Sequence, residues 1–205
     1  MDSFHDAVAQ LDLSVDLLKV NMPFALAIIG GLYLIHLVNF LLGYRLNILG
    51  IFPRHPLGLI GIVTSPFLHG NFNHLFFNSI PLFILLSFVL LNGFATFLSV
   101  TATIMLIGGF GTWLFGRRAL HIGASGVIMG YWAYLMFNAY QQPTILSLAL
   151  GLVCIYYFGG LLLNLFPEDA RSSFEAHIFG FLGGLAANYT VPYLNAILAK
   201  HGIFN

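Results

Sequence analysis

Four residues of this chain combine types and spacing that could do chemistry together: Ser125, His177, His74 and Asn78. Ser125 lies in HIGASGVIMG (121–130), a hydroxyl set among glycines. A serine hydroxyl is a weak nucleophile until a base takes its proton, and a histidine such as His177 is suited to that work near neutral pH. His74 and Asn78, in HLFFN, stand at i and i+4 and so project from one face of a helix. Their side-chain N–H groups can face a developing oxyanion, as can the backbone N–H of Ser125 where it is unpaired at a helix start. Together these are the parts of acyl transfer. Each also has a plainer use. Gly-Ala-Ser-Gly can simply let membrane helices pack closely, a histidine near a helix end can sit in the interface, and an asparagine one turn into a helix can bond a neighbour.

The elements that must position these residues are read from composition. Of 205 residues 59% are hydrophobic and only 7% charged, with mean hydropathy +0.92; a soluble domain carries roughly a quarter charged residues. Apolar runs of about 20 residues recur, each long enough to cross a hydrocarbon core of about 30 Å. The chain therefore reads as an all-α integral membrane protein, with the lipid bilayer as its solvent. Net charge is zero and the seven Lys and Arg are scattered, which gives a nucleic-acid partner no purchase. Cys154 is alone, so no intrachain disulfide forms.

Residues 1–21 are acidic, lack a cleavable leader pattern, and place Val8, Leu11, Val15 and Leu18 on one helical face, which predicts an interfacial amphipathic segment. Residues 22–205 form the main domain, with six expected spans: about Met22 to Gly43, His74 to Asn92, Ala95 to Phe115, Ser125 to Tyr140, Pro143 to Phe166 and Ala176 to Leu198. The long first connection, 44–73, is too apolar for a free linker and is expected to embed partly in the interface or pack on the bundle.

Because successive spans reverse direction, helices two, four and six run parallel and start on one membrane face. His74 and Asn78, Ser125, and His177 open those three helices. Ionisable groups inside a bilayer point to function, and here the needed types coincide at three parallel helix starts. Gly126 and Gly130 on helix four, and Ala176, Gly180 and Gly184 on helix six, form small-xxx-small faces that allow close approach. Packing and nucleophile readings are thus compatible. Helix four, at about 15 to 16 residues, is shorter than the hydrocarbon thickness, so its start can be recessed in a wet cavity lined by His69, Asn71, Asn73 and His121.

His74-x-x-x-Asn78, Gly123-Ala124-Ser125-Gly126 and Ala176-His177-x-x-Gly180-x-x-x-Gly184, in this order, resemble the rhomboid family of intramembrane serine proteases. FLHGNFNHLFFN (67–78), with its upstream His69, resembles the family's approach to helix two, and the likeness covers the chain from about residue 22. It implies a six-helix rhomboid-like bundle, a Ser-His dyad without a third carboxylate, no metal and no cofactor. By this likeness Ser125 is the nucleophile and His177 the general base. His74, Asn78 and Gly123 would serve the oxyanion or substrate, and single-span membrane proteins would be cut. Two departures stand out: Met129 occupies a position that is aromatic in many relatives, and LIGIVTS (59–65) replaces a Trp-Arg pair found in some.

Arg45, Arg54, Arg117, Arg118 and Arg171 fall on the side of these helix starts, against Lys19 and Lys200 opposite. The positive-inside rule turns that side to the cytoplasm. The resemblance implies the reverse, an extracytoplasmic site in a bacterial inner membrane, and we follow the resemblance. Two rival readings exist. A metal-binding or metal-transport protein would use His69, His74, His121 and His177, yet no carboxylate falls within a span and no HExxH occurs. A silent client-binding relative would not need both Ser125 and His177.

Overall fold

The computed structural model describes residues 2–160 and 173–202. Six principal helices occur among them: α1 Asp2–Leu41, α2 Phe72–Leu90, α3 Phe94–Phe115, α4 Ser125–Gln141, α5 Ile145–Phe158 and α6 Phe174–Lys200. The described residues contain no strand, only one antiparallel bridge between Ile51 and His121. Three stretches are long and apolar enough to cross a membrane: Val8–Leu41, Phe72–Leu90 and Phe94–Phe115. The full count of six spans is not reached on that measure. α4 has 17 residues, the described part of α5 has 14, and α6 mixes Asn188, Thr190 and Asn195 into its 27. The expected end of span five, Phe166, lies outside the described residues.

α1 runs unbroken through the expected boundary between residues 21 and 22, with Pro23 inside it. A proline removes a single helical N–H, and an apolar helix tolerates this where neighbours adjust. At 40 residues α1 is about 60 Å long, roughly twice the hydrocarbon thickness.

α4 is the centre of the bundle. Every residue from Val127 to Leu135 is buried, against Leu75, Leu82 and Leu86 of α2, Val100 and Ile104 of α3, and Ala187 and Val191 of α6. Residues that face outward are themselves large and apolar, Leu34, Phe40, Phe77 and Leu152 among them. A surface of that kind suits lipid, not water.

α3 contains a wide turn, with π-helical geometry over Ile104–Gly108. It brings Ile104 against Gly130 and Gly108 against Gly180, where a methyl on either glycine of the pair would sit 2.4 Å or 3.1 Å from its neighbour. The connection between α1 and α2 is a set of short helical turns (45–49, 56–59, 61–64 and 65–67) folded tightly on itself. Arg54 fastens it to the bundle by donating from Nη1 to the carbonyls of Leu114 and Gly116 at the end of α3. A cation there also meets the negative end of the helix dipole.

Candidate active site

α2 begins at Asn71, whose side chain accepts the His74 N–H at 2.8 Å, the usual N-cap bond. That fixes His74 and, one turn on, Asn78. Asn71 is thereby occupied as a cap rather than as a cavity wall. α4 begins with Ser125 as its first helical residue, after Gly123 at φ +114°. Only glycine adopts that φ readily, and a Cβ there would lie 2.7 Å from Cε1 and 2.8 Å from Nε2 of His74, and 3.4 Å from Nδ2 of Asn78. Gly123 thus lets the backbone before Ser125 touch both side chains. The Gly123 N–H donates to the Ser65 carbonyl at 2.9 Å, so the first connection also holds this turn.

His177 lies in the first turn of α6, 8% exposed, with Nε2 2.9 Å from Ser125 Oγ. Two glycine pairs produce that distance. A Cβ on Gly180 would stand 2.1 Å from the Gly126 carbonyl oxygen, and one on Gly184 2.0 Å from that of Gly130. α4 and α6 therefore meet backbone to backbone. Asn78 Nδ2 is buried and has no hydrogen-bond partner. A buried donor left unpaired is unfavourable by about 1–3 kcal/mol, so this one is waiting for an acceptor. A small cavity of about 40 Å³ adjoins Ser125, lined by Gly123, Gly126, Ala176 and Gly180 among others.

Among the described residues no three His, Cys, Asp or Glu side chains stand together as a metal-binding group. His69 and His74 are neighbours, with ring centroids 5.0 Å apart, but His121 turns to Ser173 and to the Arg117 carbonyl. His69 is fully buried and its Nε2 accepts the Ala124 N–H at 3.4 Å, tying it to the turn before Ser125.

Burial, aided by the nearby His74 and His36 rings, pushes the His69 imidazole down to about 3. The unfolded chain takes up that proton near pH 6.5. Between those values the unfolded state binds more protons, so folded stability falls as pH drops, by about 1.4 kcal/mol per unit from this group. The thermal midpoint in detergent should therefore fall between pH 7 and pH 5, and more steeply than in His69→Gln. Equal slopes would show that His69 does not carry this linkage.

The fold and the site together define a class: an all-helical integral membrane protein holding a serine–histidine pair at the starts of packed helices. The chain belongs to the rhomboid family, as residues 56–193 match the Rhomboid domain. It is similar to uncharacterized proteins of Mycobacterium tuberculosis and Mycobacterium bovis, 36% identical over 173 residues, which is 80% of this chain and 72% of theirs. A Bacillus subtilis protein, YdcA, named as a candidate rhomboid protease, is 28% identical over 130 residues, covering 62% of this chain and 65% of its own.

Ser125, His177, His74, Asn78 and Gly123 are thus brought together, and Gly126, Gly130, Gly180 and Gly184 form the seam that does it. Residue spacing did not reveal three further contributors. Ser65 anchors Gly123, Ile104 fills the space beside Gly130, and Glu175 meets Arg117. Glu175 carried a signal in being an acid placed at a membrane helix start, two residues before His177. Ser65 carried none.

Proposed function

We propose that this chain is an intramembrane serine endopeptidase that cuts transmembrane segments of single-span membrane proteins, with Ser125 as nucleophile and His177 as general base. The observation that carries this reading is the 2.9 Å contact between Ser125 Oγ and His177 Nε2, set beside a buried, unpartnered Asn78 amide. His177 Nε2 removes the Ser125 proton as Oγ attacks the scissile carbonyl carbon. The oxyanion that forms takes hydrogen bonds from Asn78, His74 and the Ser125 N–H. His177 then returns the proton to the leaving amine, and water hydrolyses the ester through the same base. In this reading α1 to α6 all cross the membrane, and the site faces the extracytoplasmic side of a bacterial inner membrane. A C-terminal reporter active only in the cytoplasm tests that orientation, and its silence would reverse it.

A transmembrane helix hides its carbonyls in its own hydrogen bonds, so a substrate must unwind to reach Ser125. The cavity of about 40 Å³ and its glycine lining favour a small residue before the cut. The deciding experiment is labelling by a fluorophosphonate in liposomes, together with cleavage of a single-span test substrate. Wild type should label and cut while Ser125→Ala does neither. A wild-type protein that stays unlabelled, or an equally active Ser125→Ala, rejects the proposal.

Asn78→Ala should slow turnover by about 10²–10³ while fluorophosphonate labelling still goes to completion, because one oxyanion donor of several is lost. An unchanged kcat would take Asn78 out of that role.

A further inference from the structure

Four polar side chains outside the proposed dyad link the loop before α4 to the start of α6. The Arg117 N–H donates to Glu175 Oε1 at 3.2 Å, and Arg117 Nε lies 3.5 Å from the same oxygen. The Arg117 guanidinium also covers the Phe174 ring at 5.4 Å. His121 Nε2 is 3.1 Å from the Arg117 carbonyl and its Nδ1 bonds to Ser173 Oγ. A carbonyl only accepts, so Nε2 carries the proton and Nδ1 accepts from the serine hydroxyl. His121 is further pinned to Ile51 by two backbone hydrogen bonds, of 2.9 and 3.0 Å. Ser173, Phe174 and Glu175, the cap and first two residues of α6, are thus all held from one loop.

The cap of α6 explains why that matters. Ser173 occupies the N-cap position but makes no capping hydrogen bond; its hydroxyl is committed to His121. A serine at this position ordinarily bonds an exposed N–H of the first turn, and a first turn without its cap frays. His177 stands one turn on from Ser173, its own N–H bonded to the Ser173 carbonyl at 3.3 Å. The glycine seam holds α6 from Gly180 onward, but the turn carrying His177 lies before it.

We infer that Arg117 and Glu175, with His121 and Ser173, form a clamp that replaces the missing cap of α6 and so positions His177 against Ser125. Glu175 lies two residues before His177, about 200° around the helix, so it acts through the helix it holds and not on the imidazole. The clamp makes the Ser–His distance depend on the loop before Ser125: loop and α6 start move together or not at all. As a role in turnover this rests on the proteolytic reading above; as a property of the fold it does not.

The test compares wild type, Glu175→Ala, Arg117→Ala and the exchanged pair Arg117→Glu/Glu175→Arg. Each single change should lower kcat about 10- to 100-fold, the scale of a 1 Å misplacement, with KM within about twofold. The exchange should restore part of the loss. Amide hydrogen exchange over residues 173–180 should rise in both single variants while the rest of α6 stays protected. Should Glu175→Ala fail to fold, Glu175→Gln keeps an acceptor for the Arg117 N–H, removes the ion pair, and carries the same comparison. Unchanged exchange in a single variant overturns the clamp, as does unchanged kcat or an effect on KM alone. If wild type itself neither labels nor cuts, the proteolytic reading fails, and the exchange measurement still decides the clamp.

Discussion

Ser125→Ala and His177→Ala are each expected to abolish cleavage of a single-span substrate, by about 10⁴-fold or more, while the thermal midpoint in detergent changes little. The size follows from the division of labour in serine hydrolases: oxyanion donors and binding alone retain only a small residual acceleration once nucleophile or base is gone. The fold should survive because neither side chain builds the seam. The contact between α4 and α6 is made by Gly126, Gly130, Gly180 and Gly184, and Ser125 and His177 meet at its edge. The double variant should be no slower than either single one, since two groups that act as a unit are not additive. A singly substituted, folded protein that still cuts at the wild-type rate would end the dyad assignment. A collapse of the thermal midpoint would instead assign the pair a structural role.

Gly180→Ala is expected to show the second large effect, on stability and turnover at once. The added methyl would lie 2.1 Å from the Gly126 carbonyl oxygen, far inside van der Waals contact, and both partners are backbone. No side chain can swing aside, so α4 and α6 must separate by roughly an ångström. Overpacking of this kind destabilises by about 1–3 kcal/mol. A displacement of that size at a reacting pair lowers turnover about 10²-fold. Gly31→Ala, in α1, is the control, because nothing lies within 4 Å of its methyl; there alanine should be neutral or slightly stabilising. Wild-type behaviour of Gly180→Ala in both assays would mean the seam is looser than its geometry.

Much of this arrangement is legible in the sequence, for reasons specific to each element. The starts of α2, α4 and α6 are marked by Asn71, Gly123 and a polar residue pattern that a membrane helix carries only at a price. The seam is legible because small residues four apart on both helices leave few other uses for them. The clamp at Glu175 and the Ser65–Gly123 bond are not legible, since each joins residues more than 50 positions apart through a loop with no periodicity. The continuity of α1 through Pro23 was also hidden, because a proline reads as a boundary in water and less so in an apolar helix. The histidines near Ser125 invited a shared ligand. His69 and His121 turned out to be fasteners for the turn and loop before it.

The wide turn in α3 also bears on how the chain tolerates changes of length. A π-helical turn is one residue inserted into an α-helix, here over Ile104–Gly108. The helix is therefore indexed in two independent blocks. The earlier block presents Val100 to the core, and the later one sets Gly109 against Ile62 and Gly111 against Phe179. Losing one residue within 104–108 would convert the turn to ordinary α-helix and leave both blocks in phase with their neighbours. Losing one anywhere else in α3 would rotate all that follows by about 100°, swinging Gly109 and Gly111 off their partners. Single-residue gaps in this helix have one place where the bundle can absorb them.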